Sequence, residues 1–271
     1  MSETMCRILF ARGIGQEVAP LFDALIKSSQ KDPYKEKRNK KTQHSDGWGY
    51  VLLKEGNATH YRSVLPMFND SHAKGLLNSL MEEDSEVVLM AHARAASQGE
   101  KTLFNVQPFS FSTKHGITFW FMHNGDLDKE ALIWKAGFKV EELVEASDSY
   151  VFGVYLSNTI DNPTPKEISR RFILGLETTR TTLNTGTLFL LPDGSWSAFI
   201  TAYMVDKYAN SLDDWNYARL IELKNSGLYA VASSTLELYY EARWRTLNNG
   251  TALSISSDKI ERFALGDAYG P

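Results

Sequence analysis

Cys6-Arg7-Ile8-Leu9-Phe10, directly preceded by Met5, is the stretch from which this 271-residue chain is best read. It is an apolar run of strand length, broken only by Arg7, and it opens on the sole cysteine of the sequence. A cysteine at the head of a core strand is a candidate nucleophile when its own α-amine is free. An α-amino group titrates at roughly 7.7 to 8.0, so it can take up and return a proton near neutrality. Here the amine is tied up in the peptide bond to Met5. The chemistry therefore requires that residues 1–5 be absent from the active form, either by initiation at Met5 with methionine removal or by loss of a short leader. The competing reading is a buried structural cysteine, a common fate of a free thiol.

Outward from this strand, which is expected to end near Gly13, residues 17–29 carry Val18, Leu21, Phe22, Leu25 and Ile26 on one face. That spacing predicts a helix with Pro20 in its first turn. Pro33 and the basic run Lys35, Lys37, Arg38, Lys40 and Lys41 read as a solvated loop closing the helix. Residues 47–53 and 59–64 predict a hairpin turning at Gly56-Asn57, and 76–81 a short helix. Residues 86–92 and 118–122 predict buried strands, each running into a polar cluster. Helices are expected over 147–156 and 164–183, and strands over 187–191 and 196–202 around Pro192-Asp193-Gly194. Further strands are expected over 228–232 and 252–264. No repeat, low-complexity tract or Pro/Gly-rich linker divides the chain, so the expectation is a single α+β domain spanning 1–271.

Hydrophobic content of 43% and charged content of 23% are ordinary for a globular protein. A net charge of -4 and a pI near 5.9 offer no general attraction for nucleic acid. No apolar run is long enough to cross a bilayer, and the start lacks a basic segment followed by an apolar one. One cysteine cannot form an internal disulfide. Together these features predict a cytoplasmic protein with neither nucleic acid nor membrane as partner.

Three polar clusters can carry chemistry. Arg94 can grip a carboxylate through its planar fork and Asp148 can hold an ammonium, a clamp for an amino-acid head group. A surface ion pair is the alternative. Asn124-Gly125 is either a simple turn dipeptide or a pair of oxyanion donors, an amide side chain beside a glycine N–H. His92 and His123 have no cysteine or second histidine at ligand spacing, so satisfied strand-end histidines and no metal are expected. Gly13-Ile14-Gly15 lacks the remainder of a phosphate loop.

Met5-Cys6-Arg7, His44-Ser45-Asp46-Gly47-Trp48-Gly49, residues 92–99, Asn105-Val106-Gln107-Pro108-Phe109, His123-Asn124-Gly125, Ser147-Asp148 and Val231-Ala232-Ser233-Ser234 follow one another in a telling order. The chain resembles the class II glutamine amidotransferases, which are N-terminal-nucleophile (Ntn) hydrolases. It looks most like their stand-alone branch, which includes γ-glutamyl hydrolases of ergothioneine synthesis and glutathione breakdown. The resemblance covers nearly the whole chain and implies an αββα four-layer sandwich with two antiparallel sheets.

It also implies roles. Cys6 would be the nucleophile and its freed amine the base, and Asn124 and the Gly125 N–H the oxyanion hole. Arg94 would hold the substrate α-carboxylate and Asp148 its α-amine, with Ser97 and Gln98 completing the carboxylate pocket. Gln98 stands where better-known relatives carry histidine, and Ala95 where they carry tryptophan. Residues 46–49 would support the nucleophile strand. The implied activity is hydrolysis of glutamine or another γ-glutamyl amide through a thioester, with no cofactor. The chain is expected to leave no room for a synthase domain, so ammonia would go to water or to a separate synthase subunit; a homodimer is the other partnership considered. The rival is a catalytically silent binding or regulatory protein of the same fold, with Cys6 blocked by residues 1–5.

Overall fold

The computed structural model describes residues 5–38 and 41–266. Residues 1–4 of the expected leader, and Lys40 of the basic run, lie outside the described residues.

Two antiparallel sheets form the centre. The first runs in the order β11-β9-β10-β1-β4-β2-β3. Its strands are β1 (Arg7–Ile14), β2 (Trp48–Lys54), β3 (Asn57–Ser63), β4 (Glu86–Ala93), β9 (Leu220–Lys224), β10 (Tyr229–Ser233) and β11 (Arg245–Thr246). The second runs β13-β12-β8-β7-β6-β5. It comprises β5 (Phe109–Ser112), β6 (Thr118–Leu127), β7 (Thr179–Leu190), β8 (Trp196–Ala202), β12 (Thr251–Ser256) and β13 (Ile260–Ala264).

Strand alternation sorts the side chains into layers. In β1, Ile8 and Phe10 face the second sheet, where they pack with Met90, Met122 and Leu188. Leu9 and Ala11 face the other way, onto Val18, Leu21, Phe22 and Leu25 of α1 (Gly15–Gln30) and Leu76 and Leu80 of α3 (Ser71–Glu82). On the far side, Phe119 and Phe121 of β6 pack with Leu132 of α4 (Lys129–Ala136), Phe152 of α5 (Asp148–Thr159) and Phe172 of α6 (Pro165–Thr178). Helices, sheet, sheet and helices therefore make the αββα four-layer sandwich.

Several boundaries differ from the sequence reading. The stretch 179–183 continues into β7 instead of α6, because Thr179, Thr181 and Thr182 favour the extended chain and the helix ends at Thr178. The hairpin turns at Glu55-Gly56, both at positive φ (50° and 75°), with Lys54 already paired to Asn57. α1 begins at Gly15, so Pro20 lies beyond its first turn. The basic run opens with α2 (Pro33–Lys37), capped by Asp32, whose carboxylate accepts from the N–H groups of Tyr34 and Lys35. Strands β5 and β9 and helices α4, α7 (Asp206–Ala209) and α8 (Leu212–Ala218) carry patterns too short or too irregular for periodicity to reveal. No helix among the described residues is long and apolar enough to cross a membrane.

Candidate active site

Cys6 lies immediately before β1, and the pairing of Arg7 with Ala93 sets it beside the chain that leaves β4. Its Sγ donates to the Ala95 carbonyl at 3.5 Å and accepts from the Ala95 N–H at 3.4 Å. Burial pushes the thiol pKa up, while the Ala95 N–H, Arg94 and Lys35 act in the opposite sense. A thiol in that state needs a base to become a nucleophile.

Met5 occupies the space on the amine side of Cys6. The Tyr217 hydroxyl accepts from the Met5 N–H at 3.1 Å and donates to the Met5 carbonyl at 2.9 Å. Met5 is only 2% exposed, packed with Met204, Tyr208, Tyr217 and Ala218.

Beneath the nucleophile lies a buried ionic cluster centred on Asp32. One carboxylate oxygen meets Arg7 Nε at 2.6 Å and His44 Nε2 at 2.8 Å; the other accepts from Thr235 Oγ1 at 3.0 Å. Burial works to raise the Asp32 pKa, yet Arg7 and His44 hold it well below the usual carboxylate range. Burial lowers His44 to about 4 and Lys35 to about 8. Arg7 also donates to the carbonyls of Cys6 and Tyr217, so the cluster ties β1 to α8. The sequence reading treated Lys35 as part of a solvated loop. The structure buries it, with Nζ donating to the Gln43 carbonyl at 2.7 Å.

The predicted substrate residues are joined by contacts. Arg94 is buried and donates to the carbonyls of Gln98 at 3.0 Å and Glu100 at 3.2 Å, so it holds its own loop closed. Gln98 Nε2 donates to Asp126 and, at 3.0 Å, to the Leu127 carbonyl. The Leu127 N–H donates in turn to Asp148 at 2.7 Å. Asp148 opens α5 behind a Ser147 cap, and burial pushes its carboxyl pKa upward. Arg94 and Asp148 are thus both buried, which corrects the surface ion-pair alternative. Ser97 is exposed on the same loop, outside this chain of contacts. Asn105, given no role from sequence, bridges the two halves. Its amide donates to Glu145 O at 3.0 Å and accepts from the Ser147 N–H at 2.8 Å.

Asn124 and Gly125 lie inside β6, paired with Asn184 and Leu183 of β7, so the turn alternative does not hold. Asn124 is buried, and neither its Oδ1 nor its Nδ2 has a partner. A Cβ on Gly125 would stand 1.9 Å from the Thr182 carbonyl, so only glycine fits there. The Thr182 hydroxyl donates to the Asn124 carbonyl at 2.6 Å and reaches Met5 Sδ at 3.7 Å. A register shift after Gly125 takes Asp126 out of the ladder, and Gln98 meets it there.

His123 is satisfied as expected, by Ser149 at 2.9 Å and the Thr182 carbonyl at 3.0 Å. His92 is not. It is fully buried with both ring nitrogens unpartnered, and burial, with Arg94 nearby, lowers its pKa to about 3. It faces the layer between the sheets, where the neighbours on its strand are apolar. Among the described residues no three His, Cys, Asp or Glu side chains are grouped as a metal would need.

The glycines of 46–49 answer to close packing. A Cβ on Gly47 would meet Ser63 O at 2.8 Å, and one on Gly49 would meet Gln107 O at 2.7 Å. Gln107 in turn accepts from the His123 N–H at 2.6 Å. The segment abuts β4 instead of the nucleophile strand itself, and Asp46 accepts from the Ala96 N–H at 2.9 Å.

Cys6, Ala95, Arg94, Gln98, Leu127 and Asp148 thus form one connected run, and Asn124, Thr182 and Met5 lead back to Cys6. The four-layer sandwich and this arrangement at the end of β1 define an Ntn-hydrolase fold. Solved structures agree. A glutamine phosphoribosylpyrophosphate amidotransferase from B. subtilis, complexed with ADP and GMP, matches with a TM-score of 0.59 at 15% identity, over 96% of this chain and 49% of that one. A structure described as the allosteric regulatory enzyme of purine biosynthesis gives 0.61 at 14%, again over 96% and 49%. A glutamine aminotransferase class-II domain protein from Silicibacter pomeroyi gives 0.54 at 17%, over 96% of this chain and 100% of that one. The chain spans about half the length of the first two. No curated protein sequence matches it. The family profile described as class-II glutamine amidotransferases matches residues 28–264, and the chain belongs to that family. The match begins after α1 is under way, so Cys6 precedes it.

Proposed function

We propose that this chain, once residues 1–5 are gone, hydrolyses glutamine or another γ-glutamyl amide through a thioester on Cys6. One observation carries the reading: the Asn124 amide is buried with neither of its polar atoms partnered, on a residue that Thr182 links to Met5, the neighbour of Cys6. Such a group costs stability unless something fills its hydrogen-bonding capacity, and a developing oxyanion would. In this mechanism the freed α-amine takes the Cys6 proton and Sγ attacks the side-chain carbonyl. Asn124 Nδ2 and the Gly125 N–H receive the oxyanion. Arg94 and the Gln98 loop with Ser97 hold the α-carboxylate, and Asp148 the α-amine. The ammonium then protonates the leaving nitrogen, and water splits the thioester.

We treat residues 1–271 as a single amidotransferase domain that releases its ammonia or amine to water or to a separate synthase subunit. A cytoplasmic setting suits its one free thiol. The burial of Met5 and its two bonds to Tyr217 favour a second reading, a binding protein whose nucleophile stays acylated. The intact mass of the protein made from its native gene in its native host, with glutamine hydrolysis measured on the same sample, separates the two. A chain starting at Cys6 that releases glutamate is expected. A chain retaining Met1 or Ser2 and releasing none refutes the hydrolase.

A further inference from the structure

The volume filled by Met5 is a built recess. Its walls are Met204, Tyr208, Tyr217 and Ala218, all buried, and the Thr182 hydroxyl reaches the Met5 sulfur at 3.7 Å. The backbones of Met204, Tyr217 and Ala218 are anchored independently of Met5. Asn249 brackets the Met204 backbone through its N–H at 2.7 Å and its carbonyl at 2.8 Å. Asn184 Nδ2 holds the Ala218 carbonyl at 2.6 Å, and Arg7 holds that of Tyr217 at 3.2 Å. Removing Met5 would therefore leave a methionine-sized hollow in a close-packed setting. Besides Thr182 at the sulfur end, a second hydroxyl serves its backbone end: Tyr217 both accepts from and donates to the Met5 backbone. The Arg7 and Arg38 guanidiniums, paired with Asp32 and Asp214, lie 4.2 and 4.8 Å from the Tyr217 ring centre and stack on that wall.

The recess also stands where the reaction needs a site. Met5 is covalently next to the Cys6 nitrogen, and Thr182 links the recess to the Asn124 carbonyl at 2.6 Å. The attacked carbon carries an oxygen, directed to Asn124 and Gly125, and a glutamyl chain, directed to Arg94 and Asp148. Its remaining substituent is the leaving nitrogen, which must meet the Cys6 ammonium that protonates it. Whatever that nitrogen bears extends from Cys6 into the adjoining volume.

We propose that the recess vacated by Met5 is the leaving-group site, and that it selects γ-glutamyl amides of an α-amino acid with an unbranched apolar side chain of about methionine's length. The inference rests on the hydrolase reading above. As the Cys6 Sγ–C bond forms, the amide C–N bond breaks and the α-ammonium proton passes to the departing amine. Water then cleaves the thioester to glutamate and restores the thiol. The amine's side chain lies among Met204, Tyr208 and Ala218, and its carboxylate accepts from the Tyr217 hydroxyl.

The test uses the chain produced to begin at Cys6, assayed for glutamate release from γ-glutamylmethionine, γ-glutamylglycine and glutamine. The expected kcat/KM for the methionine compound exceeds that of the glycine compound by about tenfold or more. Ala218→Val, which shortens the recess, should bring the methionine compound down to the glycine level. Met204→Ala, which deepens it, should shift the preference toward γ-glutamylphenylalanine. Equal kcat/KM for the two dipeptides in an active enzyme overturns the leaving-group site and leaves the hydrolase standing. A methionine preference retained in both variants also overturns it. Glutamate release from none of the three compounds overturns both readings.

Discussion

Replacing Asn124 with alanine should make the protein a poorer catalyst and no less stable, an unusual pairing that follows from its surroundings. The side chain is 1% exposed in its residue environment, and both its polar atoms lack partners. Each buried unpaired group costs about 1–3 kcal/mol. Truncation relieves both and leaves a void of about one water, ~30 Å³. At ~24 cal/mol per Å³ that void costs ~0.7 kcal/mol. The balance favours the variant by about 1 kcal/mol or more, which in a domain of this size raises Tm by roughly 2–4 °C per kcal/mol. Glutamate release should fall by about 10²–10³ in kcat, since one oxyanion donor contributes ~2.7–4 kcal/mol to lowering the barrier. Thermal unfolding by circular dichroism and a glutamine hydrolysis assay on the Cys6-start protein check the two halves. A Tm lowered by more than about 5 °C with turnover intact would refute the reasoning, because Asn124 would then be a structural residue with partners of its own.

Three further outcomes are expected. Asp32→Ala leaves Arg7 buried without its counter-ion and should lower unfolding free energy by about 3–5 kcal/mol, read from the urea midpoint; a smaller loss would mean that Arg7 finds water. His44 and His92 stay neutral in the folded protein down to about pH 4 and 3, whereas in the unfolded chain they protonate near 6.5. Their contribution is therefore complete above about pH 6.5 and is lost as pH falls below it, by about 3 kcal/mol in total between about pH 6.5 and 5. A Tm that stays flat across that window contradicts it. Arg94→Ala should raise KM for glutamine at least about tenfold with a smaller change in kcat, and an unchanged KM argues against the carboxylate clamp.

Much of the sandwich could be read from local pattern. The Val18–Ile26 stripe, the hairpin from Trp48 to Ser63 and the apolar run ending at His92 each declare their element through a few neighbouring residues. Where neighbours give mixed signals the reading slipped. Thr179 to Leu183 continues an amphipathic helix in hydropathy while its threonines favour a strand, and pairing with β6 and β8 decides the matter. Asn124-Gly125 has the composition of a turn, yet the Thr182 carbonyl across the ladder explains the glycine by close approach. The candidate catalytic residues were legible because the resemblance places them in order. Their supports were not. Thr235 reaches Asp32 across 203 positions, and Tyr217 reaches Met5 across 212, distances at which no spacing rule operates. Lys35 misled for a related reason, since a run of lysines looks solvated until a carbonyl such as that of Gln43 is brought over one of them.

The seating of the Met5–Cys6 peptide bond in the interior also bears on how the protein is handled. An affinity tag fused ahead of Met1 leaves Met5 in place, buried and held by Tyr217. On the proposed mechanism the fusion would still present an acylated Cys6 nitrogen to every substrate. An inactive preparation of that kind would describe the tag, and inhibitors screened against it would be selected for a cleft still plugged by Met5. A carboxyl-terminal tag together with a start at Cys6 avoids both errors.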